Sequence, residues 1–387
     1  MGEGNGLRLG ILFNVSRNWL GGVYYIVNLV NALNSLEEKE KPEIFLFYTD
    51  ELKEFLPQIS YTKLETVPWA FPTPVKGYLS SWTKQKNRFS DDLAVQYELD
   101  GIYPEWNQPV HYSRAYSRPL HSVSWFADLQ HKYYPEFFSR KQLMMREFRL
   151  RMMLRNTEHL VVSSKAAEND FRKFYRLRSD LKVHVLNFVS IIEDYVPEKP
   201  DKIIEKYSLP ETYYMVSNQF HRHKNHAILL KTLALMKERN KSVHIAMTGK
   251  MPDSDTSLYI RELHQLMDKN ELHNRVTFLG VIPRNDQLNL MQHAQAVIQP
   301  SLFEGWSTVI EDARALQVPV IASNLDVNRE QLGSKGVYFD PASAEELAGI
   351  LEHFNREEGK VYYEPYRERV RKYAEEFLNI FKNEVKN

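Results

Sequence analysis

The feature that most constrains this chain is the regular exchange of short apolar runs with segments of helical spacing. Residues 7–13 form an apolar run of strand length. After the polar stretch NVSRNWLGG, the segment VYYIVNLVNAL sets Val23, Ile26, Val27, Val30 and Leu33 on one helical face. Further strand candidates fall at 44–48, 123–126, 160–162 and 183–188, and a second series follows at 213–216, 243–247, 276–279, 296–298 and 318–322. Strands that alternate with helices predict parallel sheets covered on both faces. Two such series predict an α/β protein with two Rossmann-like domains facing each other across a cleft, with ligands held at the carboxyl ends of the strands. Two prolines and a charge cluster in VSIIEDYVPEKPDKI interrupt the pattern, which divides the chain into domains 1–195 and 196–365. The Pro- and aromatic-rich PWAFPTPVKGYLSSWTKQKNRFS reads as a mobile loop.

Composition removes several function classes. The 387 residues contain 50 basic and 50 acidic side chains, so there is no general field for nucleic acid, and an anion must be held by a local site. The absence of cysteine excludes a disulfide framework and a thiolate metal site or nucleophile. No apolar run approaches the roughly 20 residues of a membrane span, and MGEGNGLRLGILFN lacks a basic start. A cytoplasmic location, with or without peripheral contact at the inner face of a membrane, is the expectation.

The stretch SLFEGWSTVIEDARAL carries the most chemistry. Glu304 lies in a Gly-containing loop, and Ser307-Thr308 can open a helix on which Val309, Ile310, Ala313 and Leu316 form the apolar face. Glu311 then points almost opposite to that face, and Asp312 lies on its flank. Backbone N–H groups of Gly305, Trp306 and Ser307 at a helix tip suit an anion. A phosphate near Gly305 leaves Glu304 and Asp312 to accept hydrogen bonds from hydroxyls on either side, as a nucleotide sugar requires.

This stretch resembles the acidic motif of the family 4 retaining glycosyltransferases of the GT-B fold, in which two glutamates are separated by seven residues; Glu304 fills the first place and Asp312 the second. The resemblance extends over nearly the whole chain. YYMVSNQFHRHKNHAILLKTLALM is similar to the start of the family's donor domain, where a basic pair holds the diphosphate: Lys224 matches the lysine, and Asn218 stands at the place of the arginine, with Gln219 and Arg222 as substitutes. VTFLGVIP resembles the loop whose backbone reads the nucleobase, here Gly280 and Val281. Gly21 and Gly22 match the paired glycines before the first helix. SWFADLQHKYYPEFFS is similar to the acceptor-side loop, where the family's His-Asp pair reads Ala127-Asp128 and His131 is the replacement histidine. The ending segment 366–387 resembles a helix that crosses back onto the first domain.

The resemblance implies a retaining transferase that moves a sugar from a UDP- or GDP-sugar to a hydroxyl of a glycan or lipid-linked acceptor in cell-surface polysaccharide synthesis. Lys224, Glu304, His131 and Asp128 are its expected catalytic groups. No cofactor is required, and no metal, because lysine and a helix tip supply the positive charge. His221, His223 and His226 lack a zinc-helix pattern. Asp253-Ser254-Asp255 imitates a metal-binding Asp-x-Asp, but in a polar loop opening a helix it reads as a cap. MMREFRLRMMLRN interleaves arginines with apolar residues, as a solvated helix flank or a membrane-surface helix does. A nucleotide-sugar epimerase and a catalytically silent nucleotide-sugar-binding protein are the alternatives.

Overall fold

The structure, a computed structural model, describes residues 6–84, 87–105, 120–192, 195–252, 257–356 and 362–382. The chain forms two compact units, Met1–Ile191 with Arg367–Asn387, and Ile192–Tyr366.

The first unit is built on β1 (Arg8–Phe13), β2 (Glu43–Tyr48), β3 (Leu64–Pro68), β4 (Gly101–Tyr103), β5 (His121–Trp125), β6 (His159–Val162) and β7 (Lys182–Val185). They make one sheet in the order β3-β2-β1-β4-β5-β6-β7, parallel throughout, with Ile11 of β1 opposite Leu46 on one side and Tyr103 on the other. Strands of this kind read as nearly unbroken apolar runs because helices cover both faces. Leu9, Ile11 and Phe13 are fully buried, and each such side chain contributes about 1.5–3 kcal/mol. The helix Arg140–Asn156 opens with a reciprocal cap: Ser139 Oγ accepts from the Gln142 N–H at 3.3 Å, and Gln142 Oε1 accepts from the Ser139 N–H at 2.7 Å. In the helix Tyr366–Lys382, Phe377 meets Tyr103 edge-on at 5.3 Å, and Phe381 fills the space beside Gly101, where a Cβ would come within 2.5 Å of its ring.

The segment expected as a mobile loop contains the helix Pro74–Lys84.

The second unit contains β8 (Tyr214–Ser217), β9 (Ile245–Thr248), β10 (Val276–Gly280), β11 (Val297–Gln299), β12 (Val320–Ser323) and β13 (Val337–Phe339), ordered β10-β9-β8-β11-β12-β13 and again parallel. From β8 the chain builds outward through β9 to β10, then returns to lay β11, β12 and β13 on the other side. The direction of winding reverses between β8 and β11. Parallel sheets of this type bind ligands at the carboxyl ends of the strands that flank such a reversal.

Candidate functional site

Asn218 follows β8 directly, and the 300–307 loop follows β11, so the reversal point brings the two sequence motifs together. Several bonds tie their loops. The Leu302 N–H donates to the His223 carbonyl at 2.8 Å, and Asn225, held in the left-handed conformation at φ 58°, donates its side-chain N–H to the carbonyls of Pro300 at 3.1 Å and Pro341 at 2.9 Å.

Across this frame runs a polar chain. Asn218 Nδ2 donates to Gln299 Oε1 at 3.0 Å, Gln299 Nε2 donates to Glu304 Oε1 at 2.7 Å, and Lys224 Nζ meets the same Glu304 oxygen at 2.6 Å. The Glu304 side chain is 8% exposed and that of Lys224 20%. Removing two charges this far from water is costly unless they are paired and hydrogen-bonded, and here they are both. Gln299 and Gly249 were not singled out from sequence. Gly249 sits at φ +143°, and a Cβ there would lie 2.2 Å from the Asn218 carbonyl oxygen, so only glycine lets the loop after β9 approach Asn218. The Gly249 N–H in turn donates to the Gly280 carbonyl at 2.9 Å.

Several of the expected ligand groups have other partners in the structure. Arg222 does not join Lys224; it pairs with Glu262 at 2.8 Å and lies over the Tyr259 ring. Gln219 faces His221, its Oε1 3.0 Å from Nε2. The Ser307 N–H, expected to meet a phosphate, donates to Gln331 Oε1 at 3.2 Å, while Ser307 Oγ caps the helix Thr308–Ala315 by accepting from the Ile310 N–H. Trp306 is buried; Thr308 and Gly305 are half-buried. Val281 is exposed beside Gly280, which has φ +64°.

The two neighbouring acids reverse the orientation expected of Glu311. Its carboxylate is fully buried, accepting from Arg314 at 3.2 Å, Gln331 Nε2 at 2.7 Å and the Tyr366 hydroxyl at 3.0 Å. Asp312, 2% exposed, is gripped by both terminal nitrogens of Arg284, one of them at 2.7 Å. Arg284 was also missed from sequence; it opens the helix Arg284–His293 immediately after VTFLGVIP and joins the loop expected to read the base to the acid expected to meet the ribose.

The histidines beside Lys224 are kept neutral. Burial, then the charge of Lys224, pushes His223 down to about 3 and His226 down to about 3, and lowers His221 for the same reasons. Among the described residues no group of three or more His, Asp or Glu could hold a metal ion. Asp253-Ser254-Asp255 lies outside the described residues.

In the first unit the expected acceptor-side groups are less available than the sequence suggested. His131 is 4% exposed, and its Nδ1 accepts from Arg146 Nε at 3.2 Å, which puts the proton of the neutral ring on Nε2. Burial and then Arg146 push its pKa down to about 4. Asp128 accepts from the Gln130 N–H at 3.0 Å and lies 3.5 Å from Arg146, so both residues brace the loop through one arginine. Gly21 and Gly22 fall inside the first turn of the helix Leu20–Ala32 rather than before it. The Gly22 N–H donates to the Trp19 carbonyl at 3.0 Å, and the Trp19 indole occupies the space a side chain at 22 would need.

Comparison with known proteins agrees with this architecture. Residues 200–377 match the family described as "Glycosyl transferases group 1", just under half of the chain. The O-antigen chain mannosyltransferase RfbU of Salmonella typhimurium is 27% identical over 214 residues, 55% of this chain and 55% of the relative. The O-antigen chain mannosyltransferase B of Escherichia coli is 22% identical over 235 residues, 59% of this chain and 60% of the relative. The matched part thus spans little more than half the length of these curated relatives. Solved structures align over nearly the full chain: a glycosyltransferase from Rickettsia africae with a TM-score of 0.68 at 16% identity, covering 99% of this chain and 100% of that one, and Anabaena HepE in complex with UDP and glucose with a TM-score of 0.65 at 19% identity, covering 98% of each. The fold is that of the GT-B glycosyltransferases, two Rossmann-like domains each built on a parallel sheet.

Proposed function

We propose that this protein is a retaining glycosyltransferase that moves a sugar from a nucleoside diphosphate sugar to a hydroxyl acceptor. The observation that carries the reading is the Lys224–Glu304 pair, set by Gln299 and Asn218 at the reversal point between β8 and β11. Bond cleavage leaves negative charge on the diphosphate. The Lys224 ammonium and the N–H of Gly305 stabilise it, an effect worth about 3–4 kcal/mol for a well-placed donor. Glu304 accepts hydrogen bonds from the sugar hydroxyls. Asp312 receives the ribose, with Arg284 fixing its carboxylate. The leaving phosphate takes the acceptor proton on the same face of the sugar, so no side-chain nucleophile is required.

The names of the Salmonella and Escherichia relatives support mannose as the sugar and a cell-surface polysaccharide as the product. The UDP and glucose bound to the Anabaena neighbour support a nucleoside diphosphate donor. His131 and Asp128 act here as positioning residues that hold the acceptor-side loop through Arg146.

The test is a thermal-shift panel of UDP, GDP, ADP and their sugars, followed by NMR of the anomeric proton after reaction with a glycan or lipid-linked acceptor. A stabilising nucleotide and a product with the donor's anomeric configuration are expected. An inverted product refutes retention, and conversion of the donor without acceptor indicates an epimerase. A stabilising nucleotide with no turnover on any acceptor leaves a binding protein.

A further inference from the structure

Two neighbouring helices of the first unit turn apolar side chains to solvent among basic ones. On Pro74–Lys84, Val75, Leu79 and Trp82 recur at i, i+4 and i+7 and so form one line along the helix. All three are exposed, Val75 by 61% and Leu79 by 56%, while Tyr78 and Ser81 face inward. On Arg140–Asn156, Met144, Met145 and Phe148 are exposed, Met144 by 73%. Lys141, Arg151 and Arg155 are exposed in the same sector of that helix, within roughly a third of its circumference. The two helices touch, because Tyr78 meets Phe148 edge-on with ring centroids 5.7 Å apart.

Charge decides what covers such a face. Arg140–Asn156 contains Arg140, Lys141, Arg146, Arg149, Arg151 and Arg155 against the single acid Glu147, which is already engaged by Lys132 at 2.8 Å and Arg151 at 2.7 Å. Pro74–Lys84 adds exposed Lys76 and Lys84 and no acid. In a chain with balanced charge overall, this excess is local. The centre of a protein interface is depleted of charge, yet here Lys141, Arg151 and Arg155 share the helix sector of Met144 and Phe148. A second copy bound about a two-fold axis would set this basic surface against itself. An anionic lipid surface satisfies both components, because the apolar side chains enter the headgroup boundary while lysine and arginine meet phosphates.

We infer that this face docks the protein on an anionic membrane surface through the line Val75, Leu79, Trp82 and the cluster Met144, Met145, Phe148. The inference is independent of the transferase reading. It is tested by sedimenting the full chain with vesicles of phosphatidylcholine alone or mixed with phosphatidylglycerol. Binding to the mixed vesicles only is expected, falling as salt is raised, with a blue shift of tryptophan emission that Trp82→Phe removes. Leu79→Asp with Met144→Asp should abolish sedimentation. Lys141→Glu and Arg155→Glu should each lower it about fivefold or more, with thermal unfolding unchanged in every variant. Failure to bind either vesicle, or binding indifferent to these substitutions, overturns the inference. So does a dimer in sedimentation velocity that Leu79→Asp dissociates, which would assign the face to a second copy.

Discussion

Adjacent carboxylates on the helix Thr308–Ala315 should fail in opposite ways when removed. Glu311→Ala deletes a buried carboxylate that accepts from Arg314, Gln331 and, partly buried, Tyr366. Deleting one partner of a buried pair costs about 3–5 kcal/mol. Arg314 keeps the Gln331 carbonyl at 3.0 Å and Glu364 at 2.6 Å, which puts the loss at the lower end. For a unit the size of Ile192–Tyr366, about 3 kcal/mol lowers Tm by roughly 6–12 °C. Asp312→Ala instead removes the carboxylate held by Arg284, whose side chain is 36% exposed and can be rehydrated, so the loss is about 1 kcal/mol, roughly 2–4 °C. Its effect falls on the ligand: loss of a charge-assisted hydrogen bond to ribose weakens nucleotide binding by about ten- to a hundredfold. Calorimetric unfolding, with nucleotide titration well below either Tm, separates the two. If Asp312→Ala proves the more destabilising, or Glu311→Ala loses nucleotide affinity while Tm holds, the assignment of one acid to structure and the other to ligand is wrong.

Lys224→Ala and Glu304→Ala should each reduce transfer at least about a hundredfold while the protein stays folded, the scale of one lost electrostatic contact to the transition state; initial rates on purified variants with matched circular dichroism check this. Gly249→Ala should lower Tm and nucleotide affinity together, because the added methyl meets the Asn218 carbonyl oxygen, and one thermal scan with and without nucleotide reads both. Acid should destabilise the second unit early. The buried His226 has its folded pKa lowered to about 3, below the unfolded value near 6.5, so the unfolded state binds its proton first and stability falls as pH drops through about 6.5 towards the folded pKa. His226→Phe, which keeps an aromatic ring against Phe220 at 4.2 Å, should flatten the change in urea midpoint between pH 7 and pH 5.

The strands were legible where both faces are buried, since runs such as residues 7–13 and 296–298 have few polar interruptions. β3 and β4 were not. LETVP in β3 is mostly exposed at the sheet edge, and β4 has three residues beginning with glycine. The acidic stretch at 304–312 stood out because its loop and flanking strands are contiguous in sequence, and strand order then sets it at the reversal point. Burial of Glu311 depends on Gln331 and Tyr366, 20 and 55 positions away, so helical periodicity could not reveal it. That helix is buried over Val309–Arg314 as a whole, which removes the polar face the periodicity assumed. Arg284 was hidden for a similar reason: its partner lies 28 residues on, and nothing local tells an arginine that grips a carboxylate from one that merely opens a helix.

The first unit takes its final helix from the far end of the chain, with Phe377 and Phe381 closing over Tyr103 and Gly101. During synthesis the ribosome delivers β1 to β7 long before that cover exists, so the nascent first unit must wait, its tyrosine and glycine strand uncovered, while the entire second unit is made. The second unit is continuous and can mature as soon as it emerges. The half of the protein translated first is therefore the half completed last.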